Sequence, residues 1–463
     1  MEDMTPTLEP ARKAGATRTG GGGLALTAIS AGFFLVILDT TIVAVALDRM
    51  AIGLRTSVTG LEWVVDGYTV TVAALLMLGG GLADRFGARR CFLTGLAFFG
   101  LASVACAAAP GVGVLVAARV VQGIGAALLI PASLALIRHT YPDPADRARA
   151  TGIWGAIGST AASCGPVLGG VLSENFGWPA VFVINAPICA ATAILLWRTV
   201  PSVPGAAESI PIAGHLSTVV AMTGVTATAI LAGARPLNSV ALVIAVVAAL
   251  LGLGTGVVAA RRGNGLLPSD LRRSWAFRGG ALIGLAQNFG FYGQLFVVSL
   301  YLQRQLHYSP TATGFALLPE AAIGILASAL GGRHAARRGP RRVIVTGLTV
   351  GATGLLGLAC TGPHTPYPVL AILLLLTGFG MAYTMPAATH VTVSAAGPDR
   401  AGLAGAAFNA ARQLGSALGV AVAGSLLALA PAAIALPLAI AAAVFLAAAL
   451  LATRLRGSAD ENR

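Results

Sequence analysis

Charge is scarce in this chain. Asp, Glu, Lys and Arg make up 10% of its 463 residues, against about 25% in soluble domains. So few charges cannot solvate a globular surface of this length, so lipid must be the solvent for much of the chain. Lysine is nearly missing, and Lys13 stands alone. Aromatic residues reach only 6%, and Ala and Gly fill in their place. Small residues let helix backbones approach where no hydrophobic force acts between them. The five cysteines, Cys91, Cys106, Cys164, Cys189 and Cys360, lack paired or metal-type spacing and read as small apolar fillers. No Gly-Lys-Ser/Thr phosphate loop occurs, which excludes ATP as the direct energy source. No zinc-type cluster or Ser/His/Asp arrangement stands out either, so neither an enzyme, a metal nor another cofactor is expected. His139, His215, His307, His334 and His364 fall in or near predicted loops and are expected to be solvated. His390 is expected to be a hydrogen-bonded filler.

What the chain does have is apolar length. It is 56% hydrophobic with a mean hydropathy of +0.82. A spanning helix needs about 20 apolar residues. Fourteen such runs are predicted: Leu24–Leu47, Leu61–Leu82, Phe92–Ala109, Val112–Ile137, Gly152–Leu172, Ala180–Trp197, Ile212–Gly233, Ser239–Ala260, Gly280–Leu302, Ala312–Gly332, Val343–Thr361, Pro368–Val393, Gly402–Leu427 and Ala432–Thr453. The first run has no small-residue cleavage signature, so it reads as a retained span. The fold class is therefore an all-α polytopic membrane protein.

An even count puts both termini on one side. About 24 of the 30 basic residues then share that side, and the positive-inside rule makes it cytoplasmic. Arg49, Arg55, Arg235 and Arg304 are left for the outer loops. The formal charge of +13 follows from this topology, so no nucleic-acid partner is expected.

A parallel duplication runs through the chain. Asp84-Arg85-Phe86-Gly87-Ala88-Arg89-Arg90 with Thr94-Gly95-Leu96 returns as Ala336-Arg337-Arg338-Gly339-Pro340-Arg341-Arg342 with Thr346-Gly347-Leu348. Gly123-x-Gly125-x-Ala127 with Pro131 returns as Gly378-x-Gly380-x-Ala382 with Pro386, and Asp146-Arg147-Ala148 as Asp399-Arg400-Ala401. Spans 7 and 8 fall between the copies. The expected organisation is a disordered cytoplasmic tail (1–23), a six-helix bundle (24–198), a cytoplasmic linker (199–211), two extra spans (212–260), a basic cytoplasmic linker (261–279), a second six-helix bundle (280–453) and a cytoplasmic tail (454–463).

An ionisable group in the bilayer costs roughly 2.5 kcal/mol or more, so each one asks for a reason. Five are read inside the spans: Asp39, Asp66, Arg119, Glu320 and Arg412. At about 1.5 Å per residue, Asp39 is placed ~12 Å from the outer end of span 1, and Asp66, Arg119 and Glu320 at roughly 8–12 Å depth, in one shared layer. Arg412, with Asn409, Gln413 and Ser416, forms a polar face on span 13. Gln287, Gln294 and Tyr301 recur every seven residues on span 9, with Asn288, Phe291 and Tyr292 nearby. Both stripes must point inward; each lines a substrate cavity or hydrogen-bonds a neighbouring helix.

These residues resemble the major facilitator superfamily, and its fourteen-span drug:proton antiporter branch in particular. Gly81–Arg90 is similar to that family's loop motif between spans 2 and 3. Arg119-Val120-Val121-Gln122-Gly123-Ile124-Gly125 is similar to its span-4 motif. Gly158 through Gly165-Pro166-Val167-Leu168-Gly169-Gly170 is similar to the span-5 antiporter signature, and Leu38–Val43 to the span-1 motif of the branch. The chain reads most like actinomycete antibiotic exporters of the methylenomycin-resistance type. It departs from the branch at Ala44 and Asp48, where Asn and Pro are usual.

The resemblance implies a 6+2+6 major facilitator fold. It also implies proton-driven export of a small organic drug or natural product by a monomer in the plasma membrane. Asp39 and Arg119 are then the expected proton-coupling residues; Asp66 and Glu320 are added by their place in apolar spans, with no family motif. A carboxylate in a poorly solvated cavity is easier to protonate, and a nearby arginine opposes this. Moving the two apart and together would switch proton affinity. The alternative for Asp39 and Arg119 is a static pair that fixes packing. Gly158, Gly165, Pro166, Gly169 and Gly170 form either a tight seal between states or ordinary small-residue packing. Asp84, in a tight turn where it caps a helix, acts with Arg85, Gly87, Arg89 and Arg90 as a conformational latch or as a topology anchor facing anionic headgroups. Import or facilitated movement of a metabolite, and a non-transporting sensor or lipid-handling role, remain as alternatives.

Overall fold

The structure is a computed structural model that describes residues 21–202, 205, 211–234, 239–263, 265–397, 400–430 and 433–455. Among the described residues, 14 helices are long and apolar enough to cross a membrane. They are α1 (Gly22–Gly53), α2 (Val58–Phe86), α3 (Ala88–Ala107), α4 (Val112–Thr140), α5 (Pro144–Asn175), α6 (Ala180–Thr199), α7 (Ile212–Gly233), α8 (Val240–Arg261), α9 (Trp275–Arg304), α10 (Pro310–Arg338), α11 (Pro340–Ala359), α12 (Tyr367–Ser394), α13 (Ala401–Leu429) and α14 (Ala435–Thr453). Number and order match the apolar runs. Helix is the form in which lipid-embedded backbone satisfies its own polar groups. Starts are marked by local chemistry. The Asp143 carboxylate accepts from Ala145 and Asp146 ahead of α5, and Ser239, Ser274 and Ser309 cap α8, α9 and α10.

Several ends differ from expectation. At 32 residues, α1 is about 48 Å long and outruns the ~30 Å hydrocarbon core. Asp39 therefore lies fourteen residues from Gly53, about 21 Å from that end and near the middle of the helix. Gly22 and Gly23, expected in the tail, are helical. Tyr141 Oη anchors this start by donating to the Gly22 carbonyl at 2.6 Å. Burial, and then Asp146 nearby, push the Tyr141 phenol above its usual range, so it stays a donor at neutral pH. Two histidines expected in or near loops lie within helices. His215 is buried in the first turn of α7, and His334 Nδ1 lies 2.8 Å from Tyr383 Oη within the second bundle. His390, the expected filler, is exposed. Arg235 and Asp399 lie outside the described residues.

The duplication has a structural counterpart. The α2–α3 and α10–α11 turns each consist of one glycine in left-handed backbone, Gly87 (φ 92) and Gly339 (φ 83), a conformation side chains resist. Gly79 meets the Ala127 carbonyl and Gly331 the Tyr383 carbonyl, each leaving 2.1 Å for a Cβ. In the first bundle α4 packs on α2 and α3, and α5 on α1. In the second, α9 packs on α13, and α12 on α10 and α11. Helix α7 pairs with α8 and also lies across α2 and α13, bridging the two bundles.

Consecutive spans alternate in direction, so their ends form an arginine-rich face and an arginine-poor one. The bundles are zipped toward the arginine-poor face. Ser299 Oγ donates to the Ala44 carbonyl at 2.7 Å, Gln303 Nε2 to Val45 at 3.0 Å, Ser163 Oγ to Ala321 at 3.0 Å, and the Thr311 amide to Glu174 Oε2 at 2.8 Å. Arg304 pairs with Asp48 at 2.6 Å. Asp48, the departure from the branch pattern, is thus part of this closure. Toward the arginine-rich face, Gly152 and Gly155 of α5 have open space beside them. The molecule is closed at one end.

Candidate functional site

In the first bundle, Asp39 of α1 and Arg119 of α4 meet at 0% and 1% exposure. Arg119 Nη1 donates to Asp39 Oδ2. Nε donates to the Val64 carbonyl at 3.1 Å, and Nη1 also reaches Gln122 Oε1 at 2.8 Å. The guanidinium lies 4.3 Å from the Tyr68 ring centroid and 5.7 Å from that of Phe182. Asp39 Oδ1 accepts from Gln122 Nε2 at 2.8 Å and from Asn185 Nδ2 at 3.1 Å, and Gln122 also donates to Ser103 Oγ at 2.9 Å. Five helices contribute to this one network: α1, α2, α3, α4 and α6. Charge-assisted bonds of this kind are strong, and breaking a buried pair by removing one partner costs about 3–5 kcal/mol.

The acids expected in one layer do not converge. Glu320 sits in the second bundle, where its carboxylate accepts from Gln294 Nε2 at 3.3 Å and Thr377 Oγ1 at 2.9 Å. Asp66, on α2, is 1% exposed and accepts from Thr69 Oγ1 at 3.2 Å, while its Oδ2 has no partner. A fourth buried carboxyl group joins the three expected. Glu62 is fully buried, and both its oxygens lack a partner. The apolar run begins at Leu61, which makes Glu62 an end residue in the sequence, whereas α2 begins at Val58. Uncharged members of the Asp39 network, Ser103, Gln122 and Asn185, were not expected either. Gln122 follows Arg119 by three residues on the same helix face, which is the signal that could have found it.

Arg412 of α13 is half-buried and, among the described residues, has no carboxylate partner. Its Nε donates to Asn288 Oδ1 at 3.3 Å and its Nη1 to Asn409 Oδ1 at 3.1 Å. Asn288 Nδ2 donates in turn to Ser416 Oγ at 3.1 Å. Phe291 packs edge-on against Tyr292, and Gln413 is half-buried. The longer α9 stripe turns toward its own bundle. Gln287 donates to the Met381 carbonyl, Gln294 to Glu320, and Tyr301 Oη to the Gly362 carbonyl at 2.8 Å. In this closed arrangement the stripe bonds neighbouring elements, while Arg412, Asn288 and Asn409 form a separate polar cluster.

The loop motif is placed differently from expectation. Asp84 lies in the last turn of α2 and caps nothing; it faces Arg138 of α4 across 3.6 Å, with both side chains exposed. Arg89 Nη2 donates to the Trp197 carbonyl at 2.6 Å, tying α3 to α6, while Arg85 and Arg90 are exposed. The small-residue run of α5 has two contact faces. Gly158 meets Phe33, Gly165 meets Thr41 and Gly169 meets the Ile42 carbonyl, all on α1. Gly170 meets the Pro310 carbonyl of α10, and the Pro166 carbonyl meets Gly314 of the same helix.

Two six-helix bundles, closed at one end around buried ionisable groups, are an architecture found among secondary transporters. The chain belongs to the Major Facilitator Superfamily, matching it over residues 29–420 and again over 280–462. It is a multi-pass membrane transporter and not an enzyme. It is 36% identical over 420 residues to the methylenomycin A resistance protein of Streptomyces coelicolor, covering 89% of this chain and 87% of that protein. It is 38% identical over 405 residues to the methylenomycin A resistance protein of Bacillus subtilis, covering 86% of each. The tetracenomycin C resistance and export protein of Streptomyces glaucescens is 33% identical over 410 residues, with 87% and 75% covered.

Proposed function

We propose that this chain is a proton-coupled antiporter that exports a small organic drug or natural product from the cytoplasm. The supporting observation is the fully buried Asp39–Arg119 pair, whose formation and release can switch a carboxylate between ionised and protonated states. The arginine-rich face is cytoplasmic, both termini lie there, and the unit is a monomer organised as six plus two plus six helices. A proton from the exterior neutralises Asp39 when Arg119 withdraws, and the substrate is released outward. Once the arginine-poor end has closed, Arg119 returns to Asp39 and the proton leaves toward the cytoplasm. Asp66 and Glu320 serve the same proton traffic. The polar cluster of Asn288, Asn409, Arg412 and Gln413, with Phe291, receives the substrate. Gln287, Gln294 and Tyr301 join that surface when the bundles rock.

A susceptibility panel in an efflux-deficient host identifies the exported compound. Asp39→Asn is expected to abolish proton-driven export of that compound in proteoliposomes while the protein remains folded. Unchanged export under an imposed pH gradient contradicts the proposal.

A further inference from the structure

Glu62 takes no part in the scheme above, yet its position is unusual. It lies at the start of the second turn of α2, at 0% exposure, with no hydrogen-bond partner on either oxygen. Gly424 of α13 presses against it, and a Cβ there would stand 2.1 Å from Glu62 Oε1. Helix α7 packs on both α2 and α13. It is held to α13 by Ser425 Oγ, which donates to the Ala229 carbonyl at 2.9 Å and the Ile230 carbonyl at 3.3 Å. Thr226, one turn back on α7, keeps a buried hydroxyl with no partner.

Among the charged groups at this end, Asp48 of α1 pairs with Arg304, and Arg49 and Arg55 are exposed. Asp66, one turn deeper on α2, is the charged group that bears on Glu62. Arg119 of α4 is committed to Asp39, Gln122 and Val64. Asp39 of α1 is held by Arg119, Gln122 and Asn185. Arg412 of α13 is twelve residues from Gly424, about 18 Å along the helix. His215 of α7, with Arg89 and Arg90 of α3, lies toward the arginine-rich face.

An ionised carboxylate without a single donor, shielded from water, is among the most costly arrangements a protein can hold. A neutral carboxylic acid is far cheaper to bury. The packing of Gly424 on Glu62 therefore requires a proton on Glu62. Because α2 and α13 belong to different bundles, this packing exists only while the arginine-poor end is closed. We propose that Glu62 is the proton-reading residue of that gate. It accepts a proton from exterior water as α13 seats Gly424 against it, and returns the proton to the same water when the end reopens. Closure thus depends on external acid, which prevents the transporter from resetting where no proton is available. The assignment of this face as exterior rests on the function proposed above.

The test places spin labels at Ser57→Cys and Leu429→Cys, exposed positions at the arginine-poor ends of α2 and α13. The full chain is held in lipid nanodiscs on an otherwise cysteine-free background, and pulsed dipolar spectroscopy reads the closed fraction against pH. The closed fraction is expected to fall as pH rises when Glu62 is intact, and to stay closed at every pH in Glu62→Gln, whose amide cannot ionise. Glu62→Leu is expected to behave the same way and carries the test if the glutamine variant does not fold. Asp39→Asn keeps the pH response of the gate even though export is lost, so failure of the transport scheme and failure of the gate are read separately. A Glu62→Gln curve that tracks the parent, or a parent gate indifferent to pH, overturns the proposal.

Discussion

At the residue scale, the strongest signal was the price lipid sets on charge. Asp39, Arg119, Asp66, Glu320 and Arg412 could each be picked out because an ionisable group in an apolar run needs a reason. What the run could not display was partnership. Ser103, Gln122 and Asn185 are uncharged, carry little cost individually, and meet Asp39 only through the packing of separate helices. Glu62 escaped because it stands at the edge of its run. The Asp39 network makes a stability prediction. Arg119→Ala leaves Asp39 buried without its cation and is expected to cost about 3–5 kcal/mol, seen as a lower midpoint of thermal unfolding in detergent. Adding Asp39→Asn should recover much of that loss without restoring export. A double variant as unstable as the single one contradicts the pairing. Arg119→Lys is not conservative here, because one ammonium cannot serve Asp39, Gln122 and the Val64 carbonyl in the same planar geometry.

At the element scale, helix number, order and the duplication were legible, because twenty apolar residues and a repeated Arg-rich turn are local features. Helix ends were not. The helices continue past the apolar run into polar sequence, and that continuation moved Asp39 toward mid-helix and Asp84 out of its supposed turn. The role of the α5 glycines also depended on tertiary neighbours, since one face meets α1 and the other meets α10. Gly170 carries a direct prediction. A Cβ there would lie 2.3 Å from the Pro310 carbonyl, so Gly170→Ala should hold the arginine-poor end apart. A Thr311→Cys reporter is expected to react several-fold faster with a membrane-impermeant maleimide in that background. Gly155→Ala, which meets open space, should leave the rate unchanged. Equal rates in both backgrounds would show that α5 and α10 do not seal this end.

At the scale of the whole molecule, the acids placed at one depth by the sequence occupy three separate positions across the helices. Asp39 belongs to the first bundle and Glu320 to the second, while Glu62 and Asp66 lie on α2, which α7 joins to α13. That division suits a machine in which two bundles move against each other. Asp39 pairs with and parts from an arginine of its own bundle, whereas Glu62 is covered or uncovered by the opposite one. The bridging position of α7 was hidden from a one-dimensional reading, which could say only that two spans interrupt the duplication.

The central claim is exchange of an organic compound for protons through alternating exposure. Its most direct test is simultaneous recording of both fluxes in proteoliposomes, using a compound against which expression confers resistance. Adding the compound to the side it is exported from should drive proton movement in the opposite direction, in the intact protein and not in Asp39→Asn. Movement of the compound with no accompanying proton flux would contradict the account.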